Sequence, residues 1–126
     1  METTDEDLTA GTEGSLIAAG KVVGLSVYGP DHVQIGEVAD LMIRKVSGQV
    51  AYAVLSVGGF LGLGARHCAL PWQMLKYDTG LGGYVVDVSR EQLEGAPSYS
   101  RDEAPWGDPA YGRGVSSYYG VSLNDA

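Results

Sequence analysis

A chain of 126 residues, 44 % hydrophobic and 19 % charged, holds material for one compact domain. Sixteen Asp and Glu against eight Lys and Arg leave a net charge of −8, which opposes the counterion release that drives most nucleic-acid binding, so no direct nucleic-acid contact is expected. One cysteine and two histidines exclude an intramolecular disulfide framework and the usual zinc sets within one chain, and no apolar run approaches the ~18 residues of a membrane span.

The charge is unevenly spread. Residues 1–15 carry five acids and no base, with a single Leu and no aromatic, so they cannot bury enough apolar surface to offset ordering and are expected to form a disordered arm. That acidic start is also the opposite of a basic-then-hydrophobic secretory signal, which points to a cytoplasmic protein. Residues 16–96 form the expected domain. Val22–Tyr28 reads as a first strand with Val23, Leu25 and Val27 on one face, and Gly29-Pro30-Asp31-His32 as a turn. Ile35–Val46 reads as a second strand with Ile35, Ala39, Leu41 and Ile43 facing one way, and Ser47-Gly48 as a two-residue hairpin loop. Gln49–Val57 returns apolar on both faces, so it needs cover on both sides. His67–Leu70 and Tyr84–Val88 are shorter strands, with one helical turn at Pro71–Leu75 between them. Ser89 three residues before Gln92 forms a capping box, and Gly95 with Pro97 ends a short helix over 90–94.

Five or six short strands with almost no long helix make this an all-β chain, a small β-barrel. The tail, residues 97–126, holds four of the eight Tyr and one of the two Trp. Asp108-Pro109 is an N-cap and N1 pair, and Tyr111, Val115, Tyr118 and Tyr119 recur at helical spacing, so a short helix is expected near 108–119. Gly112 and Gly114 each weaken it by about 1 kcal/mol relative to Ala, so it needs an apolar surface to dock on.

No catalytic set emerges. Gly58-Gly59-Phe60-Leu61-Gly62-Leu63-Gly64 is glycine-rich, yet it leads into a strand and lacks the Lys-Ser/Thr of a phosphate loop; it reads as a loop that presents Phe60, Leu61 and Leu63. Cys68 shares a face with Leu70 and is expected to be an inert core thiol, because its neighbour His67 points to the opposite side. Glu37 and Asp40 are the only close pair of acids in the strand region, and a separation of three places them on opposite faces of a regular strand.

Five pieces in order resemble a known family: Leu16–Tyr28, Ile35–Ile43, Gly48–Gly62, Ala69-Leu70-Pro71-Trp72 and Glu91-Gln92-Leu93. Together they resemble the PRC-barrel domain, named for the H subunit of the photosynthetic reaction centre and found as the C-terminal domain of a bacterial ribosome-maturation factor. Trp106-Gly107-Asp108 and Tyr118-Tyr119-Gly120 look like the tails of short stand-alone bacterial members. The resemblance implies a closed or nearly closed barrel of about six strands and a role in protein contact, with no catalytic residues and no cofactor. This chain lacks the membrane helix and the additional N-terminal domain of those two relatives, so neither specific role transfers. The expected function is a non-enzymatic adaptor or assembly module with protein partners, itself a homo-oligomer, using Phe60, Leu61, Leu63, Trp72, Trp106, Tyr111, Tyr118 and Tyr119 at its interface. Two other readings remain open. In one, an apolar or quinone-like ligand sits between Phe60, Trp72 and Tyr77 at the barrel mouth; in the other, an accessory role in RNA or ribosome metabolism is exerted through a protein partner.

Overall fold

The computed structural model describes residues 14–58, 65–100, 103 and 105–121. Seven strands form one sheet: β1 (Ser26–Tyr28), β2 (Gln34–Ile43), β3 (Val50–Gly58), β4 (Ala65–Pro71), β5 (Lys76–Asp78), β6 (Gly83–Val85) and β7 (Ser98–Ser100). Their order is β5-β6-β1-β2-β3-β4-β7, antiparallel throughout except for the parallel pair β1–β6. Among the described residues three helices accompany them, α1 (Ala19–Val22), α2 (Arg90–Glu94) and α3 (Pro109–Tyr119), with 3-10 turns at Trp72–Met74 and Pro105–Gly107. The chain is thus all-β with a short helix after the barrel strands and a C-terminal helix. The acidic arm read over 1–15 lies outside the described residues, apart from Gly14 and Ser15.

Four expectations are corrected by the backbone. Among the described residues the sheet has seven strands rather than about six and does not close, since its end strands β5 and β7 do not pair with each other. The first strand is only three residues long: Val22 ends the α1 turn, and Gly24 (φ 99°) redirects the chain so that Val22 is buried while Val23 is exposed. The hairpin after β2 is not a two-residue turn. Arg44 N–H donates to Gln49 O (2.8 Å) and Gly48 N–H to Arg44 O (2.9 Å), enclosing a four-residue loop from Lys45 to Gly48. Finally, β2 is bulged. Its register against β3 skips Ala39 and against β1 skips Ile35, so Ile35 and Val38 are the buried positions while Ile43, expected inside, is half-exposed.

The bulges matter because a one-residue slip exchanges faces. Val38 pairs with Leu55 and Leu41 with Ala53, on the face that packs the main core with Val27, Cys68, Leu70, Tyr84, Val86, Val88 and Leu93. Glu37 pairs with Ser56 and Asp40 with Val54, so these two acids share the other face instead of lying on opposite ones. Strands from both halves of the sheet, with α2, contribute to that one core, so the sheet wraps around it. Ser89 caps α2 as expected, its hydroxyl accepting from Gln92 N–H (3.1 Å) while Gln92 Oε1 accepts from Ser89 N–H (2.9 Å).

The second face of β3, with Tyr52, Val54 and Ser56, aligns with Pro71, Ala69 and His67 of β4 and then with Tyr99 of β7. The tail covers it. Trp106 and Tyr111 stack with Tyr52 and Tyr99 at centroid distances of 5.2–6.1 Å, and Val115 of α3 is fully buried. Gly112 is the point of closest approach: a Cβ there would lie 3.0 Å from Tyr52 Oη. The glycine that weakens the isolated helix is what lets it settle onto β3. Tyr111 Oη donates to Pro97 O (3.3 Å) and Tyr118 Oη to Gln92 O (2.6 Å), tying α3 to the segment after the barrel.

Candidate protein interface

Among the described residues, the side chains expected at the interface are divided between the main core, where Trp72 and Tyr119 pack, and the second face of β3, where Trp106 and Tyr111 lie. Phe60, Leu61 and Leu63 lie outside the described residues. Trp72 packs on Tyr84, and Tyr77 meets Tyr84 edge-on (5.4 and 5.3 Å), so the two rings named for a ligand at the barrel mouth lean on the core. Trp106 and Tyr111 are brought together, on this chain's own sheet. Tyr119 packs against the main core, with a buried hydroxyl that has no partner among the described residues. Tyr118 alone keeps much of its ring in solvent, at 42 % exposure, its edge against Tyr119 (5.0 Å).

The tail creates a feature that none of those residues signals alone. Between the β2–β3 hairpin and α3 runs a cleft of about 800 Å³, lined by Tyr52 and Trp106, by Arg44 on the hairpin side and by Arg113 and Ser116 of α3. Among the described residues neither guanidinium has a carboxylate partner. The acid in the lining, Asp108, is the N-cap of α3, its Oδ1 accepting from Ala110 N–H (2.9 Å). Lys45 extends the positive charge onto the exposed loop, where Val46 is 94 % exposed. Guanidinium groups beside aromatic and aliphatic surface form a receptor for carboxylates with an apolar neighbour.

Groups that could act as nucleophile or base have structural roles. Cys68 is buried, its Sγ 3.9 Å from Leu93 O, and burial pushes its thiol pKa up while the Arg66 charge pulls more weakly the other way. His67, on the opposite face, meets Tyr99 edge-on at 5.4 Å. His32 sits exposed in its turn with a left-handed backbone (φ 65°), stabilised by its N–H donating to Gly29 O. Burial likewise raises Tyr111, to about 12, against the opposing hydrogen bond from the Ala69 backbone, and raises Tyr119 further. Among the described residues no helix is long and apolar enough to cross a membrane, and no cluster of three His, Cys, Asp or Glu could hold a metal.

The family model described as PRC-barrel domain matches residues 15–93, well over half of the chain. The chain belongs to the PRC-barrel family. No curated protein matches it. The matched span of this PRC-barrel protein ends inside α2, so the cleft is composite: Arg44 and Tyr52 come from the family domain, Trp106 and Arg113 from the tail appended to it. Sequence reasoning took up the aromatic residues of the tail and passed over the arginines. The available signal was Arg44-Lys45 at a hairpin tip in a chain with twice as many acids as bases.

Proposed function

We propose that this PRC-barrel protein is a non-enzymatic interaction module, an adaptor that self-associates and recruits a protein partner through the cleft between the β2–β3 hairpin and α3. The observation that carries this reading is the cleft itself, where two arginines without carboxylate partners among the described residues stand over aromatic walls. It is supported by the structural use of Cys68 and His67, which leaves neither poised as a nucleophile-base pair. Self-association is favoured by apolar side chains left uncovered around the barrel, Leu16, Val23, Ile43 and Val46 among them.

The test compares wild-type bait with an Arg44→Glu/Arg113→Glu bait in quantitative affinity capture from the native host, alongside sedimentation of the purified protein over a wide concentration range. Partners held by wild type and lost by the charge-reversed bait, with a mass above the monomer, agree with the reading. An unchanged set of captured proteins removes the cleft from the function, and a monomer at all concentrations removes self-association.

A further inference from the structure

We infer that the cleft takes an extended segment of a partner protein, about five residues long, that carries two carboxylates and an apolar side chain. The inference rests on the reading of the cleft as an interaction surface and specifies the chemistry which that surface selects.

The first observation is charge. The lining holds Arg44 and Arg113 against one acid, Asp108, and Lys45 adjoins it on the hairpin loop. Three of the eight basic residues in a chain of net charge −8 thus gather at one place. The two other described arginines are in use: Arg66 donates to Ser98 Oγ (3.1 and 3.2 Å) and Arg90 to Gln34 O (2.8 Å). Arg44 and Arg113 have no such side-chain bond among the described residues, and the natural partner of a guanidinium is a planar carboxylate or a phosphate. A nucleic acid would bring a long run of phosphates against the overall negative charge, whereas a segment with two carboxylates matches two guanidinium groups.

The second is shape. The lining follows one stripe of α3, from Pro109 through Gly112, Arg113, Ser116 and Ser117 to Gly120, at the spacing of three and four that shares a helix face. The 11 residues of α3 rise about 16 Å, the length of about five extended residues. Four of the six residues in the stripe are Gly or Ser, so a main chain can lie close against the helix. The hydroxyls of Ser116 and Ser117 have no hydrogen bond among the described residues. An extended segment brings N–H and C=O groups that those hydroxyls can bond, whereas a helix satisfies its own main chain.

The third is the aromatic part of the lining. Tyr52 and Trp106 both line the cleft with ring centroids 5.4 Å apart, and Trp106 is further held edge-on by Tyr99 (6.1 Å) and Tyr111 (5.2 Å). Aromatic surface already fixed in this way receives an apolar side chain at little cost in conformational entropy.

The experiment titrates the isotope-labelled full chain with acetyl-Glu-Ala-Phe-Ala-Glu-amide, in which alternation puts both carboxylates and the ring on one face of an extended chain. The amides of Gly112, Ser117 and Gly120 and the Trp106 indole should shift together and saturate. The peptide with Gln for both Glu should bind at least about tenfold more weakly, and so should the Glu peptide on the Arg44→Gln/Arg113→Gln protein. Binding of the Glu peptide should also fall several-fold in roughly 1 M salt, where the Debye length is about 3 Å. Ser117→Phe, a change at an exposed residue of the lining, should block the cleft sterically; both variants should melt as wild type does.

Equal binding of the Glu and Gln peptides, shifts centred outside the cleft, or binding retained by both variants overturns the inference. Inorganic phosphate shifting the same resonances where the Glu peptide does not would make this a simple anion site and overturns it as well. So do shifts of those resonances that grow with protein concentration in the absence of peptide, which would assign the cleft to a second copy. If the Glu peptide fails to bind while the charge-reversed bait still loses its partners, the acidic extended occupant falls and the interaction reading stands; if the bait's partners are unchanged too, both fall.

Discussion

Two glycines two residues apart in α3 should respond oppositely to the same substitution. In an exposed helix interior, Gly→Ala stabilises by about 1 kcal/mol because alanine leaves less backbone entropy to lose. At Gly114 a new Cβ would meet only Pro97 Cγ, at 4.0 Å, an ordinary contact. Gly114→Ala should therefore gain about 0.5–1 kcal/mol and raise the melting temperature by roughly 2–4 °C. At Gly112 the Cβ would lie 3.0 Å from Tyr52 Oη, and that ring is held against Trp106 at 5.4 Å. Relief requires the helix or the ring to move by a few tenths of an ångström, and overpacking typically costs about 1–3 kcal/mol, enough to cancel or reverse the helix gain. Urea titrations by circular dichroism should separate the two variants by at least about 1 kcal/mol at constant m-value. Tyr52→Phe should restore part of the gain to Gly112→Ala in a double-mutant cycle. Equal stabilisation by both alanines, or no coupling to Tyr52, would refute the seating of α3 on β3 at Gly112.

Val54→Asp buries a charge at a position 2 % exposed beneath the tail, where it has no wet side to turn to; the cost of several kcal/mol should abolish the cooperative thermal transition. Cys68→Ala should cost about 1 kcal/mol, and the native thiol should react with a thiol reagent only as fast as the protein opens, as followed by absorbance. Ser89→Ala removes one half of the capping box and should lower stability by about 1 kcal/mol in urea titration, whereas Ser89→Asp should retain most of it. Tyr111 is raised by burial from 10.0 to about 12, so the folded state keeps a proton that the unfolded chain releases. Its contribution is complete below pH ~10 and is lost as pH rises toward about 12, so stability should fall across that window, with tyrosinate absorbance lagging behind free tyrosine until the tail undocks.

Local chemistry made several elements legible in the sequence. The Ser89/Gln92 capping box and the Asp108-Pro109 start are written in adjacent residues, and α2 and α3 begin where they say. The two-sided apolar run of β3 announced that both its faces would be covered, and the alternation at 67–70 put Cys68 inside and His67 outside. The five family-like pieces fixed the fold in the same way, through their order along the chain.

What the sequence could not carry is set by pairing at a distance. The bulges at Ile35 and Ala39 arise from the register of β2 against β1 and β3, and no residue in β2 marks them; they turned Val38 inward and brought Glu37 and Asp40 to one face. The parallel contact of β1 with β6 joins segments more than fifty residues apart. Gly112 read as a helix defect because helix propensity is a local quantity, and only the position of Tyr52 on a strand sixty residues earlier turns it into a docking point. The cleft follows the same rule. Arg44 and Arg113 are unremarkable in isolation, and they line one cleft only because the tail folds back over β3.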